Sequence, residues 1–454
     1  MNADGPVSAR QILGLAVPAL VVLAAEPLYV LVDTALVGHL GRLPLAGLAA
    51  GGTILSTAAI LGNFLAYGTT GRAARRYGAG DRAGAVAEGV QASWLALAAG
   101  LLFIVAAQLL AGPVCRALAG WSTDGAAIAR DAELWLRIAS FGAPSVLLSL
   151  AGNGWMRGVQ DTRRPLVYVL SANVGSAGLG AILVYPAGLG LAGSAIANVT
   201  AQTAAATLFV LALLRQRVPL RPHPAVLTAQ LAVGRDLVLR TLSMQLCFTS
   251  AAAVAARFGA AALGAHQIAL QLWNFCALLL DSIAVAAQSL IGADLGAGRI
   301  VSARHSARRI AVAGGVCGAV LAVLIGAGAP VLPRLFSDSA QVHDQAMLAW
   351  PWFVALLPVA GVVFAVDGVL IGAGDVRYLR NLTLASTLCG FLPMIWLAYA
   401  FRWGLGGIWA GLAVFIAVRL VLLLARTAHG GWAVPGASRR PAREPAGDSA
   451  RDSA

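Results

Sequence analysis

Long apolar runs, separated by short segments that carry most of the charge, fill the greater part of this 454-residue chain. They can be drawn at about 12–38, 45–71, 88–111, 131–153, 165–187, 191–214, 234–256, 264–292, 310–332, 346–370, 381–400 and 404–427. Each is long enough to cross a hydrocarbon core of about 30 Å as a helix. The pattern predicts an all-α polytopic membrane protein with twelve transmembrane helices. Within the runs, polar residues recur at helical spacing. On the eighth, Gln267, Gln271, Asn274, Asp281 and Gln288 fall at i, i+4, i+7, i+14 and i+21. Such a stripe would be costly against lipid, so it is expected to line water or a binding cavity. The second run repeats it more mildly as Thr53, Ser56, Asn63 and Thr70, with Tyr67 standing where the eighth run has Val285.

The stripes correspond because the chain is duplicated. Asn153-Gly154 through Gly158, Asp161 and Arg163 recurs 214 positions later as Asp367-Gly368 through Gly372, Asp375 and Arg377. At an offset of 218, Gly41 meets Gly259, Asn63 meets Asp281 and Gly80 meets Gly298. Offsets this close imply a repeated unit of roughly 215 residues with small loop changes. Two pseudo-symmetric six-helix bundles follow, at 12–214 and 234–427. An even number of spans per copy makes the repeats parallel, related by an axis along the membrane normal. Residues 1–11 are an amino-terminal segment and 215–233 a linker between bundles. The polar 428–454 reads as a disordered tail.

Composition narrows the function. Hydrophobic residues at 59% and charged ones at 11% exclude an ordinary soluble domain. The net charge of +13 comes from arginines concentrated in alternate loops, including 72, 75, 76 and 82, then 157, 163 and 164, then 215, 217 and 221. The positive-inside rule then places both termini in the cytoplasm, and no nucleic-acid partner is needed to explain the charge. The absence of lysine fits a GC-rich bacterial genome and hence an inner-membrane location. The first run is too long for a cleavable signal and is expected to stay as helix one. The five cysteines lack disulfide or zinc spacing. No P-loop, metal-ligand pattern or nucleophile–base signature is present, so neither an enzyme nor a bound cofactor is expected.

Charges within hydrocarbon are expensive and mark function, which singles out Glu26, Asp33, Asp281 and Asp367. Glu26 and Asp33 lie two turns apart on one face of helix one, with Pro27 between them as a source of a kink. Asp367 replaces the neutral Asn153 of the first copy. Arg137, Arg240 and Arg419 lie near helix ends and are expected to snorkel, leaving the carboxylates without charged partners. Asp161 and Asp375 are expected to pair with the arginines two residues on. Trp121, Trp135, Trp350, Trp352 and Trp403 fall at an aromatic belt, whereas Trp273 lies deep enough to stack on a planar cation. With no interior arginine cluster, the cavity suits amphipathic or cationic organic molecules better than phosphorylated anions.

Val32-Asp33-Thr34-Ala35-Leu36-Val37-Gly38-His39-Leu40-Gly41, Gly264-Ala265-His266-Gln267-Ile268, the Asp281…Gln288 spacing before Gly296, and Asp367-Gly368-Val369-Leu370-Ile371-Gly372-Ala373-Gly374-Asp375 together resemble the multidrug and toxic compound extrusion family, in its DinF-like branch. The resemblance covers about residues 10 to 427. It implies a V-shaped pair of six-helix lobes, a monomer, and drug export by proton or sodium antiport with alternating access. Asp33 matches the branch's coupling carboxylate. On helix five, Ser176 and Gly180 stand where the branch often has asparagine and aspartate. Asp33 would then act alone, with Glu26, or with Asn63 and Ser176 as neutral partners, and proton coupling is favoured over sodium. Gln267, Gln271, Asn274, Gln288, Trp273, Tyr67, Asp281 and Asp367 are the candidate cavity residues. A lipid-linked precursor flippase and a non-transporting scaffold are the rival classes.

Overall fold

The computed structural model describes residues 7–120 and 124–438. Among them are twelve helices long and apolar enough to span a membrane: α1 (Ala9–Gly38), α2 (Arg42–Gly78), α3 (Arg82–Ala119), α4 (Gly125–Gly158), α5 (Arg163–Val184), α6 (Gly190–Leu214), α7 (Pro224–Arg257), α8 (Ala260–Gly296), α9 (Ile300–Ala327), α10 (Ala340–Gly372), α11 (Val376–Ala400) and α12 (Gly404–His429). Several extend beyond the apolar runs, because polar first turns continue the helix at the membrane face. A capping box opens α1, where the Ser8 hydroxyl accepts from Gln11 N at 3.3 Å and Ser8 N donates to the Gln11 side chain at 2.8 Å. Three spans are interrupted: α2 at Asn63, α4 at a 3-10 turn over Ser140–Gly142, and α11 at a π-helical turn over Ser386–Phe391 just before Pro393.

The duplication has a direct physical reading. Gly154 and Gly158 of α4 lie against the backbone of α2 at Ala66 and Thr70; Gly368 and Gly372 of α10 lie against α8 at Ala284 and Gln288. The four contacts are two contacts repeated, because 66 and 284 differ by 218 and 154 and 368 by 214. A Cβ on Gly368 would sit 2.6 Å from the Ala284 Cα, a separation that real side chains do not reach. Small residues there let the helices approach closely enough for dispersion to hold them in lipid. Loops repeat as well: Gly41 and Gly259 have φ of 121° and 110°, and Gly80 and Gly298 have 82° and 76°. At a third copy-related turn Gly374 has φ 69° but its counterpart is Gln160 at 63°.

Within each lobe the same pairs pack, α2 on α4 with α4 on α6, and α8 on α10 with α10 on α12. Across the lobes α2 meets α8, and α1 also packs on α8. The pseudo-axis runs between α2 and α8, where Gly78 abuts Ala293 and Gly296 abuts Arg75. This joins the lobes at the arginine-rich end of the bundle. Toward the other end Gln267, Gln271 and Asn274 of α8 and Thr53 and Ser56 of α2 are exposed.

Several sequence expectations are corrected. The linker is shorter than 215–233, since α7 begins at Pro224. Residues 215–223 are tied to α3, with Trp94 Nε1 donating to Leu220 O at 2.8 Å and Gln91 bridging Arg221 O and His223 N. The expected disordered tail is ordered through Ser438, and 439–454 lie outside the described residues. Trp432 is 1% exposed and packs into the core of the second lobe. Arg75 of the first lobe donates to Val434 O and Gly436 O at 3.0 Å and to Ala373 O at 2.8 Å, while Gly436 N donates to Leu295 O at 2.9 Å. A short strap therefore crosses the lobe seam; backbone carbonyls, which composition cannot reveal, do the binding. Trp135 and Trp350 are core residues rather than belt residues, donating to Ser194 and to Ile325 O. Trp352 and Trp403 are exposed, and Trp121 lies outside the described residues.

Candidate functional site

Asp33 lies on the ridge Ala25, Tyr29, Asp33, Val37 that α1 turns into the first lobe. It is 6% exposed. The Ser194 hydroxyl on α6 donates to its two carboxylate oxygens at 2.7 and 3.0 Å, and Trp135 Nε1 on α4 donates to Ser194 at 3.3 Å. Among the described residues no arginine or histidine forms an ion pair with it. One hydroxyl does not saturate a carboxylate, which has about four acceptor sites, so a proton or a small cation has room to bind. Sequence reasoning missed Ser194, which sits in an unremarkable Gly-Leu-Ala-Gly-Ser segment; its signal is tertiary.

The other expected members of this group stand apart. Glu26 is exposed, two turns before Asp33 on α1. Ser176 on α5 is buried and, with Asn198, lies beside the Tyr29 hydroxyl rather than on Asp33. Asn63 marks the break in α2, and among the described residues no hydrogen bond joins it to Asp33. Gly180 faces Leu36 of α1 and Ala197 of α6. Pro18 and Pro27 interrupt the α1 hydrogen-bond ladder on the approach to Asp33.

A second group joins the lobes. Tyr67 Oη of α2 donates to Asp281 of α8 at 2.7 Å. The stripes of the two copies therefore meet at this bond, and Thr53, Ser56, Gln267, Gln271 and Asn274, nearer the opposite end on the same helices, border the gap between them. Gln288 lies beyond the junction, fully buried with neither side-chain polar atom partnered, and so does not line the gap. Trp273 is also core, edge-on to Phe353 with ring centroids 6.4 Å apart, and is not placed to stack on cargo.

Charge at this floor differs most from expectation. Arg240 of α7 pairs with Asp367 at 2.6 Å, and Arg419 of α12, 1% exposed, pairs with the same Asp367 oxygen. Neither arginine snorkels. The other Asp367 oxygen and parts of both guanidiniums are unpartnered, while Arg157 of α4, 4% exposed, lies near Tyr67 and Asp281 without an ion pair among the described residues. Three guanidiniums thus surround two carboxylates. The expectation of an interior without arginines fails because residues distant in sequence converge, each seeming close to a helix end when read alone. Arg137 does stay peripheral, pairing with Glu133 at 2.7 Å. The loop aspartates also choose other partners: Asp161 takes Arg164 at 3.4 Å and Asp375 takes Arg426 at 2.8 Å.

Comparison with known proteins gives one consistent answer. The MatE family model matches residues 18–185 and 237–396. The chain is 31% identical over 430 residues to the DNA damage-inducible protein F of Escherichia coli K12, covering 90% of each. It is 31% identical over 429 residues to the chloroplastic protein DETOXIFICATION 44 of Arabidopsis thaliana, covering 90% of this chain and 80% of that one. Among solved structures, a MATE in the bent conformation superposes with TM-score 0.84 at 21% identity, over 93% of this chain and 94% of that one. A MOP superfamily transporter from Pyrococcus furiosus, reported with a binding pocket of reversed polarity, gives 0.82 at 22% identity, over 93% and 94%.

Proposed function

Because the chain belongs to the MatE family of multidrug and toxic compound extrusion transporters, we propose that it is a proton-driven exporter of amphipathic small molecules in which Asp33 carries the coupling ion. The observation behind this reading is the buried Asp33 carboxylate, held by one hydroxyl and no counter-charge, on a proline-interrupted helix that packs on α5 of its own lobe and on α8 of the other. Loading and unloading that carboxylate changes the charge carried by the helix linking the lobes. Rocking of the lobes about the Tyr67–Asp281 junction then exposes the amide-lined gap to alternate faces, as parallel-repeat transporters do. One pH unit supplies about 1.4 kcal/mol per proton, and 100 mV about 2.3 kcal/mol per charge. We place the arginine-rich face and both termini in the cytoplasm of a bacterial membrane, with the protein acting as a monomer.

Arg157 favours a second reading of the cargo. An unpaired guanidinium at the floor, beside Arg240 and Arg419, recognises a carboxylate or other acidic group better than an organic cation. The test is to reconstitute the protein, impose a pH gradient, and follow efflux of a fluorescent organic cation and a fluorescent organic acid, with and without Asp33→Asn. Gradient-driven movement of either probe that collapses in the variant supports the mechanism. Undiminished movement removes Asp33 from it, and no movement of any probe by the wild type would favour the flippase or scaffold.

A further inference from the structure

Separate from the polar gap and from Asp33, a groove of about 970 Å³ runs between α1 and α9 with α8 as its floor. That volume is at the upper end of cavities that hold small ligands. Ile12, Ala16 and Leu20 form one wall, Val312 and Val316 the other, and Ile283 part of the floor. Leu13 and Val17 of α1 and Val312 and Val316 of α9 are each more than half exposed, so protein does not cover these walls. Ser282, the polar residue on the floor, spends its hydroxyl on Leu279 O at 2.7 Å. Nothing deep in the groove asks for a polar ligand.

Its arginine-rich end is different. Val7 N donates to the Ser306 hydroxyl at 3.3 Å, and Arg309 Nη1 donates to Val7 O at 3.2 Å, tying the start of α1 to α9. His305, Arg308 and Arg309 line the groove there, and among the described residues neither Arg308 nor Arg309 has a carboxylate partner. From Arg309 to Cys317 is eight residues of helix, about 12 Å at 1.5 Å per residue. This is close to the half-thickness of a hydrocarbon core of about 30 Å. An apolar slot one leaflet deep, basic at its membrane-surface end, is complementary to an acyl chain with an anionic head, and clustered arginines at that level attract anionic lipid.

We propose that this groove binds an anionic phospholipid from the leaflet on the arginine-rich side, with an acyl chain between α1 and α9 and the phosphate at Arg308 and Arg309. The lipid would lie at the seam between a helix of the first lobe and two of the second. It would hold the first half of α1, the helix carrying Asp33, against the second lobe.

Lipid retention by the purified full-length protein tests this without reference to transport. Protein is exchanged from mixed phosphatidylglycerol and phosphatidylcholine vesicles into detergent, stripped stepwise, and its bound lipid quantified by native mass spectrometry. The wild type is expected to keep about one phosphatidylglycerol after annular lipid is gone. Arg308→Gln with Arg309→Gln should lower that retention tenfold or more, and Ala313→Phe should lower it by filling the slot with both arginines intact. Arg215→Gln with Arg217→Gln, which removes equal charge elsewhere on the same face, should leave it unchanged. Glycerol phosphate should not displace the lipid. Equal retention of phosphatidylcholine, an equal loss in the Arg215 and Arg217 variant, or displacement by the soluble head group would overturn the proposal.

Discussion

The strap at the arginine-rich end makes a quantitative prediction about the balance between conformations. Arg75→Ala removes the bonds to Val434 O, Gly436 O and Ala373 O, and ending the chain after Gly431 removes the strap and Trp432 together. Hydrogen bonds from a charged donor contribute about 1.5–3 kcal/mol each. Val434 O and Gly436 O are part-exposed and regain water while the buried Ala373 O does not, so about one bond's worth should survive as a net loss. A loss of about 3 kcal/mol changes an equilibrium roughly a hundredfold. Trp432 adds more, since burying an aromatic side chain of about 200 Å² at about 25 cal/mol/Å² is worth about 5 kcal/mol as an upper estimate. Spin labels on Arg82 and Val301, exposed residues of the two lobes at this end, report the separation by double electron–electron resonance. The intact protein should give one dominant short distance. Arg75→Ala should add a longer population, and the truncation should make it the major one. If both variants keep the original distribution and melting temperature, the strap contributes nothing to closure and the reasoning fails.

Three further outcomes follow from local geometry. Gln160→Gly relieves a left-handed backbone that its repeat partner fills with Gly374, and should raise thermal stability by about 1 kcal/mol; a fall in melting temperature would count against the turn assignment. Gly368→Leu forces α10 off α8 and should abolish the folded peak in fluorescence-detected size exclusion, whereas Gly175→Leu, with open space around it, should not. Ser194→Ala removes the donor on Asp33, at about 1.5–3 kcal/mol, and should slow gradient-driven transport tenfold or more with the fold intact. Ser176→Ala should leave the rate unchanged, and equal effects of the two would undo the assignment of Ser194.

Elements repeated in the chain were the ones legible from it. Twelve spans, two bundles and the meaning of Gly154 and Gly368 could be read because a helix crossing lipid needs a long apolar run and a tight helix pair needs a small residue at a fixed register. The polar stripes were legible for the same reason, up to Asp281. Beyond that point periodicity misled, since Gln288 continues the pattern yet is covered by neighbouring helices, and depth along the same helix misled for Trp273, which is core as well. Partner choice was not legible. Asp33 with Ser194, Asp367 with Arg240 and Arg419, and Arg75 with the strap all join residues more than a hundred positions apart, except for Arg419 at 52. Judging each arginine by its distance from its own helix end concealed the fact that several such ends converge at the lobe seam.

Simultaneous measurement of substrate and proton movement tests the central claim most directly. With a pH-sensitive dye inside proteoliposomes, an imposed substrate gradient should drive opposing proton movement through the wild type. Asp33→Asn should continue to exchange labelled for unlabelled substrate while proton movement falls to the level of empty vesicles. Proton movement at the wild-type rate in Asp33→Asn, with substrate still exchanging, would contradict the account.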